Sequence, residues 1–197
     1  NIKKIVGLST DKACNPINLY GATKLAADKL FVSANNFVKR NNSRFSVVRY
    51  GNVIGSRGSV IPYFKKIYKE KGYVTITDKN MTRFMISLNE AVEFVIFALR
   101  DMSGGEIFVK KIPSMNIIDI AKAINSSMKP EFIGIRAGEK LHEQMISEED
   151  ANLTYEFKSY CKIISPIVPK LVMKKTLKNG KKVKGNFSYR SNTNSHW

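Results

Sequence analysis

The sequence predicts an α/β fold with parallel strands, on three observations. Short apolar runs of strand length recur, as in Ile5-Val6-Gly7-Leu8 and Phe45-Ser46-Val47-Val48. Segments with apolar residues three and four apart alternate with those runs, the order that a parallel sheet needs for its crossovers. Polar or Gly-rich stretches follow the strands, at the edge where open α/β sheets bind ligands. At 197 residues and 43% hydrophobic, the chain is long enough for a core and globular by composition.

Taken in order, Ile5-Val6-Gly7-Leu8 reads as a buried strand that delivers Ser9, Thr10, Asp11 and Lys12 at its C-terminal end. Pro16 and Asn18 mark a loop and a helix start, and Tyr20 and Lys24 lie four apart on that helix. Four residues is about one turn, so phenol and ammonium point the same way. A fixed positive charge beside a phenol favours the phenolate, which makes Tyr20 a candidate general base. The helix continues through Leu25, Ala26, Leu30 and Phe31 until Asn41, Asn42 and Ser43 break it. The strand over 45–50 then runs into a loop, Gly51-Asn52-Val53-Ile54-Gly55-Ser56-Arg57-Gly58-Ser59, whose glycines let backbone come close to a ligand.

Residues 60–71 read as a helix with Ile61, Phe64, Ile67 and Tyr68 on one face. Val74 to Asp78 alternates as a short strand, and Met81-Thr82-Arg83-Phe84-Met85-Ile86 follows. Glu90 to Met102 is an apolar helix expected to bury Ala91, Phe94, Val95, Ala98 and Leu99. Gly104-Gly105 stops it before a strand over 106–109. Pro113 and Ser114 lead into a helix expected from Ile117 to Ser127, with Ile118, Ala121 and Ile124 buried.

A net charge of +17 raises the question of nucleic acid. The only dense run is Lys170, Lys174, Lys175, Lys178, Lys181, Lys182 and Lys184, with no aromatic residue interleaved to stack a base. It is read as a solvated Lys-rich loop over 170–184, and no nucleic-acid partner is expected; a basic surface suits an anionic small ligand. Two cysteines, Cys14 and Cys161, are too few for a disulfide framework and lack metal-ligand spacing, so no metal is expected and Cys14 is read as a packed thiol. His142 and His196 are read as ordinary structural or surface histidines. With no signal peptide and no apolar run near 18 residues, no membrane association and a cytoplasmic location are expected.

One Tyr-x-x-x-Lys is expected by chance in a Lys-rich chain with 8 Tyr, so its weight comes from context. Thr10-Asp11-Lys12 followed by Tyr20-x-x-x-Lys24 resembles the active site of the extended short-chain dehydrogenase/reductase family, most nearly its inverting UDP-N-acetylglucosamine 4,6-dehydratases. Three further stretches resemble that family in the same order: Met81-Thr82-Arg83-Phe84, Gly134-Ile135-Arg136-Ala137-Gly138-Glu139-Lys140-Leu141-His142-Glu143, where only Ala137 departs from the family's Pro, and Tyr189-Arg190-Ser191-Asn192-Thr193-Asn194. The family carries a Gly-x-Gly-x-x-Gly loop at its start, which this sequence lacks, and continues into a final helix beyond the place of Trp197, so the chain is expected to be a C-terminal portion of a longer protein, truncated at its own C-terminus as well.

The resemblance implies the C-terminal part of a Rossmann-type doubly wound parallel sheet plus a smaller α/β substrate-binding region. It divides the chain into residues 1–59, the second half of the Rossmann domain, and 60–197, mainly nucleotide-sugar binding. Thr10, Asp11, Lys12, Tyr20 and Lys24 are then the implied catalytic residues. Leu8, Ser9, Tyr20, Lys24, Val53, Ile54 and Gly55 would face NADP. Asn52, Val60, Thr77, Arg83, Arg136, Glu139, Tyr189, Ser191 and Asn194 would face UDP-N-acetylglucosamine. A homo-oligomer, hexameric in the family, is implied. The implied chemistry needs Lys12 partly neutral and Asp11 partly protonated. Family contrasts favour inversion at C5: glucose-nucleotide dehydratases have Glu at the place of Lys12, 4-epimerases lack the Asp-Lys pair, and retaining relatives tend to have Met at the place of Tyr20. A retaining 4,6-dehydratase, a 4-epimerase and an inactive UDP-sugar-binding fragment are the alternatives.

Overall fold

The computed structural model describes residues 2–38, 43–166, 168 and 176–197. Asn41 and Asn42 of the expected helix break and Lys170, Lys174 and Lys175 of the Lys-rich run lie outside the described residues. The elements run β1 (Lys4–Thr10), a 3₁₀ turn (Asp11–Ala13), α1 (Leu19–Ala34), β2 (Arg44–Tyr50), β3 (Asn52–Val53), α2 (Val60–Lys71), β4 (Val74–Ile76) and β5 (Thr82–Ile86). They continue with α3 (Leu88–Asp101), β6 (Glu106–Lys110), β7 (Ser114–Asn116), α4 (Ile117–Ile124), β8 (Pro130–Phe132), β9 (Gln144–Ile146), α5 (Glu148–Ala151), β10 (Thr154–Glu156), β11 (Tyr160–Ile164), β12 (Lys181–Lys182) and β13 (Tyr189–Arg190).

Among the described residues, the main sheet has the order β1-β2-β6-β11-β10-β12. β1, β2 and β6 are parallel, with Ser9 opposite Arg49 and Thr10 opposite Tyr50, and β11 and β10 then return antiparallel. The α/β class expected from the sequence is the class found, with a mixed sheet. Smaller sheets β3-β5-β7, β4-β8 and β9-β13 lie beyond it. Thus the main sheet takes strands from both sides of residue 60.

Several elements differ from expectation for local reasons. β1 is not buried: its one partner among the described strands is β2, and Leu8 is 53% exposed. α3 begins at Leu88, because Ser87 and Glu90 form a reciprocal capping box that satisfies the first free N–H groups. It packs through Ala91, Phe94 and Ala98, a spacing that turns Leu99 (38% exposed) away from the sheet. α4 ends at Ile124 rather than Ser127. Asn125 accepts from Ser127 N at 2.9 Å and donates to the Tyr68 hydroxyl at 3.0 Å, so local side-chain bonds replace the helical ones. Its buried residues are Ile117, Ile120 and Ala121, with Ile118 and Ile124 only partly covered. The residues before it form β7, and Asn52-Val53 form β3 against Met85-Ile86 rather than a free loop.

A buried ion pair locks α1 to the sheet. Arg49 Nη2 lies 2.9 Å from Asp28 Oδ2, both side chains being 2% exposed, and Arg49 Nη1 donates to the Met145 carbonyl at 2.7 Å. Asp28 is one turn beyond Lys24, so this pair fixes the rotation of the helix that carries Tyr20 and Lys24.

Candidate active site

β1 ends at Thr10, whose hydroxyl caps the 3₁₀ turn by accepting from Lys12 N at 3.4 Å and donates to Asp11 Oδ1 at 2.9 Å. The turn places Asp11 fully buried and Lys12 beside it, Nζ to Oδ1 3.0 Å. The chain then reverses at Asn15, which takes a left-handed φ of 46°, a conformation that Asn tolerates better than most residues. Asn18 caps α1 by accepting from Gly21 N at 2.8 Å. At Gly21 a side chain would strike the Lys12 carbonyl and Pro16, so the helix reaches the turn this closely only with glycine there. Lys24 donates to the Leu8 carbonyl at 3.3 Å, tying the first turns of α1 to the end of β1.

A distant segment is stitched over this loop. Asn18 Nδ2 donates to the Gly138 carbonyl at 2.7 Å, Lys140 Nζ to the Cys14 carbonyl at 2.6 Å, and Asn15 Nδ2 to Gln144 Oε1 at 3.3 Å. Glu143, 3% exposed, thereby reaches Lys12, Oε1 to Nζ 3.4 Å, and lies 3.8 Å from Arg83 Nε. Asp11, Lys12, Arg83, Glu143 and Lys140 form one charged cluster. Burial presses the Lys12 ammonium toward losing its proton, but the neighbouring carboxylates Asp11 and Glu143 outweigh it, and its pKa is raised above the ordinary lysine value. The expectation of a partly neutral Lys12 is therefore corrected for the ligand-free protein.

Two clefts meet at Lys12. The larger, about 370 Å³, is lined by Asn52, Val60, Thr77, Arg83, Arg136, Glu139 and Glu143. The smaller, about 330 Å³, is lined by Leu8, Ser9, Thr10, Tyr20, Lys24, Tyr50, Asn52 and Val53. Tyr20 is half exposed there, beside Tyr50, whose pKa is raised by burial and by Tyr20. Among the described residues the buried Ser9 Oγ and Asn52 Oδ1 have no hydrogen-bond partner, nor do Asp11 Oδ2, Glu139 Oε2 and Glu143 Oε2. Unpartnered buried polar atoms are costly, and those of Ser9, Asn52, Glu139 and Glu143 belong to residues that line the two clefts, where a ligand carrying hydrogen-bond donors would satisfy them. The smaller cleft, with a phenol, an ammonium and Ser9 Oγ, fits the ribose and nicotinamide end of a dinucleotide on that ground.

The structure brings together Thr10, Asp11, Lys12, Tyr20 and Lys24, with Leu8, Ser9, Asn52 and Val53, and gathers Val60, Thr77, Arg83, Arg136 and Glu139 across the larger cleft. Ile54 and Gly55 lie on an exposed turn outside both clefts. Tyr189, Ser191 and Asn194 also lie outside both. The Tyr189 hydroxyl accepts from Ile112 N at 2.9 Å and donates to its carbonyl at 3.0 Å, and its ring lies 4.8 Å from Phe84. Asn194 Nδ2 donates to the Ile112 carbonyl and to Ser114 Oγ, both at 2.9 Å. Ser191 is fully buried, within 2.7 Å of Thr82 Oγ1, and accepts from Glu143 N at 2.9 Å. His142 bonds Thr82 Oγ1 through Nδ1 at 2.9 Å, and burial lowers its pKa.

Among the lining residues that escaped the sequence reading are Glu143 and Tyr63. Glu143 closes the Gly134–Glu143 stretch, so its signal was present but its target was not. Tyr63, on the outer face of α2, lines the larger cleft, and hydrogen bonds from Thr75 and Arg136 hold its phenol below the ordinary value. No periodicity marks it. Cys14 and Cys161 are buried, their thiols pushed up to about 11 and about 12 by burial. Among the described residues no group of His, Cys, Asp and Glu could hold a metal ion, and no helix is long and apolar enough to cross a membrane.

A strand, a 3₁₀ turn and a helix thus present Asp11-Lys12 and Tyr20-x-x-x-Lys24 beside two clefts. The chain belongs to the family described as "Polysaccharide biosynthesis protein", which it matches over residues 1–165. It is 54% identical over 204 residues to the UDP-N-acetylglucosamine 4,6-dehydratase (inverting) of Campylobacter jejuni subsp. jejuni serotype O:23/36 (strain 81-176), covering 100% of this chain and 60% of that protein. The X-ray structure of Pen from Bacillus thuringiensis matches with a TM-score of 0.87 at 36% identity, over 99% of this chain and 60% of that one. DesIV (dTDP-glucose 4,6-dehydratase) from Streptomyces venezuelae, solved with NAD and TYD bound, matches with a TM-score of 0.61 at 16% identity, over 70% of this chain and 49% of that one, a likeness of fold alone. This chain spans about 60% of the length of its Campylobacter relatives.

Proposed function

We propose that the whole protein to which this chain belongs is a hydro-lyase that dehydrates UDP-N-acetylglucosamine across C5 and C6 with inversion at C5. The observation that carries this reading is the Asp11-Lys12 pair, 3.0 Å apart, with Lys12 where the two clefts meet and Asp11 buried beside it. One acid and one amine at that point suit the removal of a C5 proton and the departure of a C6 hydroxyl. The identity with a protein named for that reaction supports it.

In this scheme the sugar lies at the junction and the UDP along the larger cleft. Arg136 and Arg83 face the diphosphate there, since a guanidinium matches phosphate oxygens with paired donors. Arg136 is at the exposed mouth, whereas Arg83 Nη1 is already committed to the Thr82 and Leu141 carbonyls. A nicotinamide dinucleotide, NADP by the resemblance, would be held by Ser9, Tyr20, Lys24 and Val53, and when bound it supplies the hydride chemistry, from C4 and back to C6. Tyr20 takes the C4 hydroxyl proton, with Lys24 on the same helix face holding a positive charge nearby. The C4 ketone so formed acidifies the C5 proton, which Lys12 removes. Asp11 donates a proton to the C6 hydroxyl, which leaves as water. Protonation of C5 from the opposite face inverts that centre.

This product would open pseudaminic acid biosynthesis, a pathway that the resemblance implies, from a cytoplasmic homo-oligomer. The test is to incubate the whole protein with UDP-N-acetylglucosamine in deuterated water and follow C5 and C6 by NMR. Loss of the C6 hydroxyl with deuterium at an inverted C5 is expected. Retention at C5, or a 4-epimer with the C6 hydroxyl intact, overturns the inverting reading.

A further inference from the structure

We propose that Glu143 is the positioning residue for Lys12: its buried carboxylate aims the amine at the junction of the clefts and fixes its charge state. The inference rests on the proposed role of Lys12 as the C5 base. It starts from how firmly Glu143 is held. Its N–H is accepted by Ser191 Oγ at 2.9 Å, its carbonyl accepts from Ser191 N at 2.8 Å, and Ser191 is tied to Thr82 Oγ1 at 2.7 Å. The carboxylate is thus delivered by backbone that cannot drift away from β5.

Three cations surround it, and two are already engaged. Lys140 Nζ, 4.0 Å from Oε2, donates to the Cys14 carbonyl at 2.6 Å. Arg83, with Nε 3.8 Å from Oε1, spends Nη1 on two backbone carbonyls. Lys12, 3.4 Å from Oε1, has among the described residues only Asp11 as its other ion-pair partner, and Asp11 is the group assigned to give up a proton during turnover. Glu143 is therefore the counter-ion that stays with Lys12 while Asp11 changes charge. Oε2, buried and without a hydrogen-bond partner, marks a carboxylate not used up in structural bonds. The charged and titratable groups facing Lys12 are Asp11, Glu143 and Arg83, with Arg136, Glu139 and Lys140 on the larger cleft wall and Tyr20, Lys24 and Tyr50 on the smaller.

The consequence has a definite sign. Lys12 works as a base only when neutral, so activity falls on the acid side as it gains a proton. An adjacent carboxylate favours the ammonium, and its removal lets Lys12 lose its proton at lower pH. In the whole enzyme, the pH profile of kcat with UDP-N-acetylglucosamine is expected to have its acid limb moved down by about one unit or more in Glu143→Gln. Glu143→Asp keeps the charge and should keep the limb near its original place. Ser191→Ala, which loosens the anchor, should move it in the same direction by less, and it supplies the test if Glu143→Gln does not fold. A profile that superimposes on the parent's in Glu143→Gln, or in Ser191→Ala where only that variant folds, with only the melting temperature lowered, overturns the inference and leaves the dehydratase reading intact. A parent enzyme that forms no 6-deoxy product overturns that reading, and the inference with it.

Discussion

Two paired lysines in this molecule differ in what surrounds the pair. Lys162, in β11, is 1% exposed, lies 2.6 Å from Asp101 Oδ2, and has the Phe108 and Phe157 rings 4.8 and 5.5 Å from its ammonium. Its charge is matched by two aromatic faces and by one carboxylate, and Asp101, 39% exposed, has its remaining acceptors open to water. Lys12 sits between two carboxylates and is 31% exposed, and Asp11 Oδ2 and Glu143 Oε2 beside it, like Glu139 Oε2 in the same cleft, are buried without a hydrogen-bond partner among the described residues. A fold has every reason to close its interior pairs, because spare buried acceptors cost stability. Spare acceptors persist at the cleft, where a ligand can complete them.

That contrast can be broken by exchanging each cation for a neutral chain. Lys12→Met in the whole enzyme should lower kcat by roughly 10²- to 10⁴-fold, the usual span for a lost general base, and abolish deuterium uptake at C5. Lys162→Met should leave kcat unchanged and cost little stability, since Asp101 is partly exposed and can return to water. A large loss of turnover in Lys162→Met would erase the distinction. Asp28→Ala is the harsher test, on a pair whose two side chains are both buried. It strands the Arg49 guanidinium and should cost about 3–5 kcal/mol in urea denaturation.

Smaller effects sharpen the comparison. Gly21→Val forces a side chain against the Lys12 carbonyl and should cost about 1–3 kcal/mol while lowering kcat through displacement of α1. Because the folded pKa of Lys12 is raised, its pairing contributes fully below the ordinary lysine value of 10.5 and is lost as pH rises through the folded value. The melting temperature of the parent should therefore drop more steeply above pH 10.5 than that of Lys12→Met. Smallest in energy, the buried Cys14 and Cys161 thiols, raised to about 11 and about 12, should react with an aromatic disulfide at pH 8 only after unfolding.

The strand, turn and helix that carry Asp11, Lys12, Tyr20 and Lys24 were legible because each depends on neighbours within one turn. The same holds for α2, whose apolar spacing names its buried face. Legibility failed where burial is decided by something remote. Leu8 reads as core by type but lies on the open edge of β1, and Leu99 fits a helical stripe that the sheet reaches only through Ala91, Phe94 and Ala98. Equally remote are the partners of Tyr189 and Asn194, which line a separate cleft with Lys111 and His196 and bond Ile112 and Ser114.

By itself the sequence determined the α/β order of elements, the cap at Asn18 and the shared face of Tyr20 and Lys24. These are set by hydrogen-bonding and steric preferences between residues a few positions apart. Only the tertiary structure decided that Glu143 meets Lys12, that Arg49 closes on Asp28, and that Lys12 is held charged rather than neutral. A charge state is the sum of burial and of every neighbouring charge, and here Asp11 is adjacent in sequence whereas Glu143 and Arg83 arrive from distant stretches of the chain.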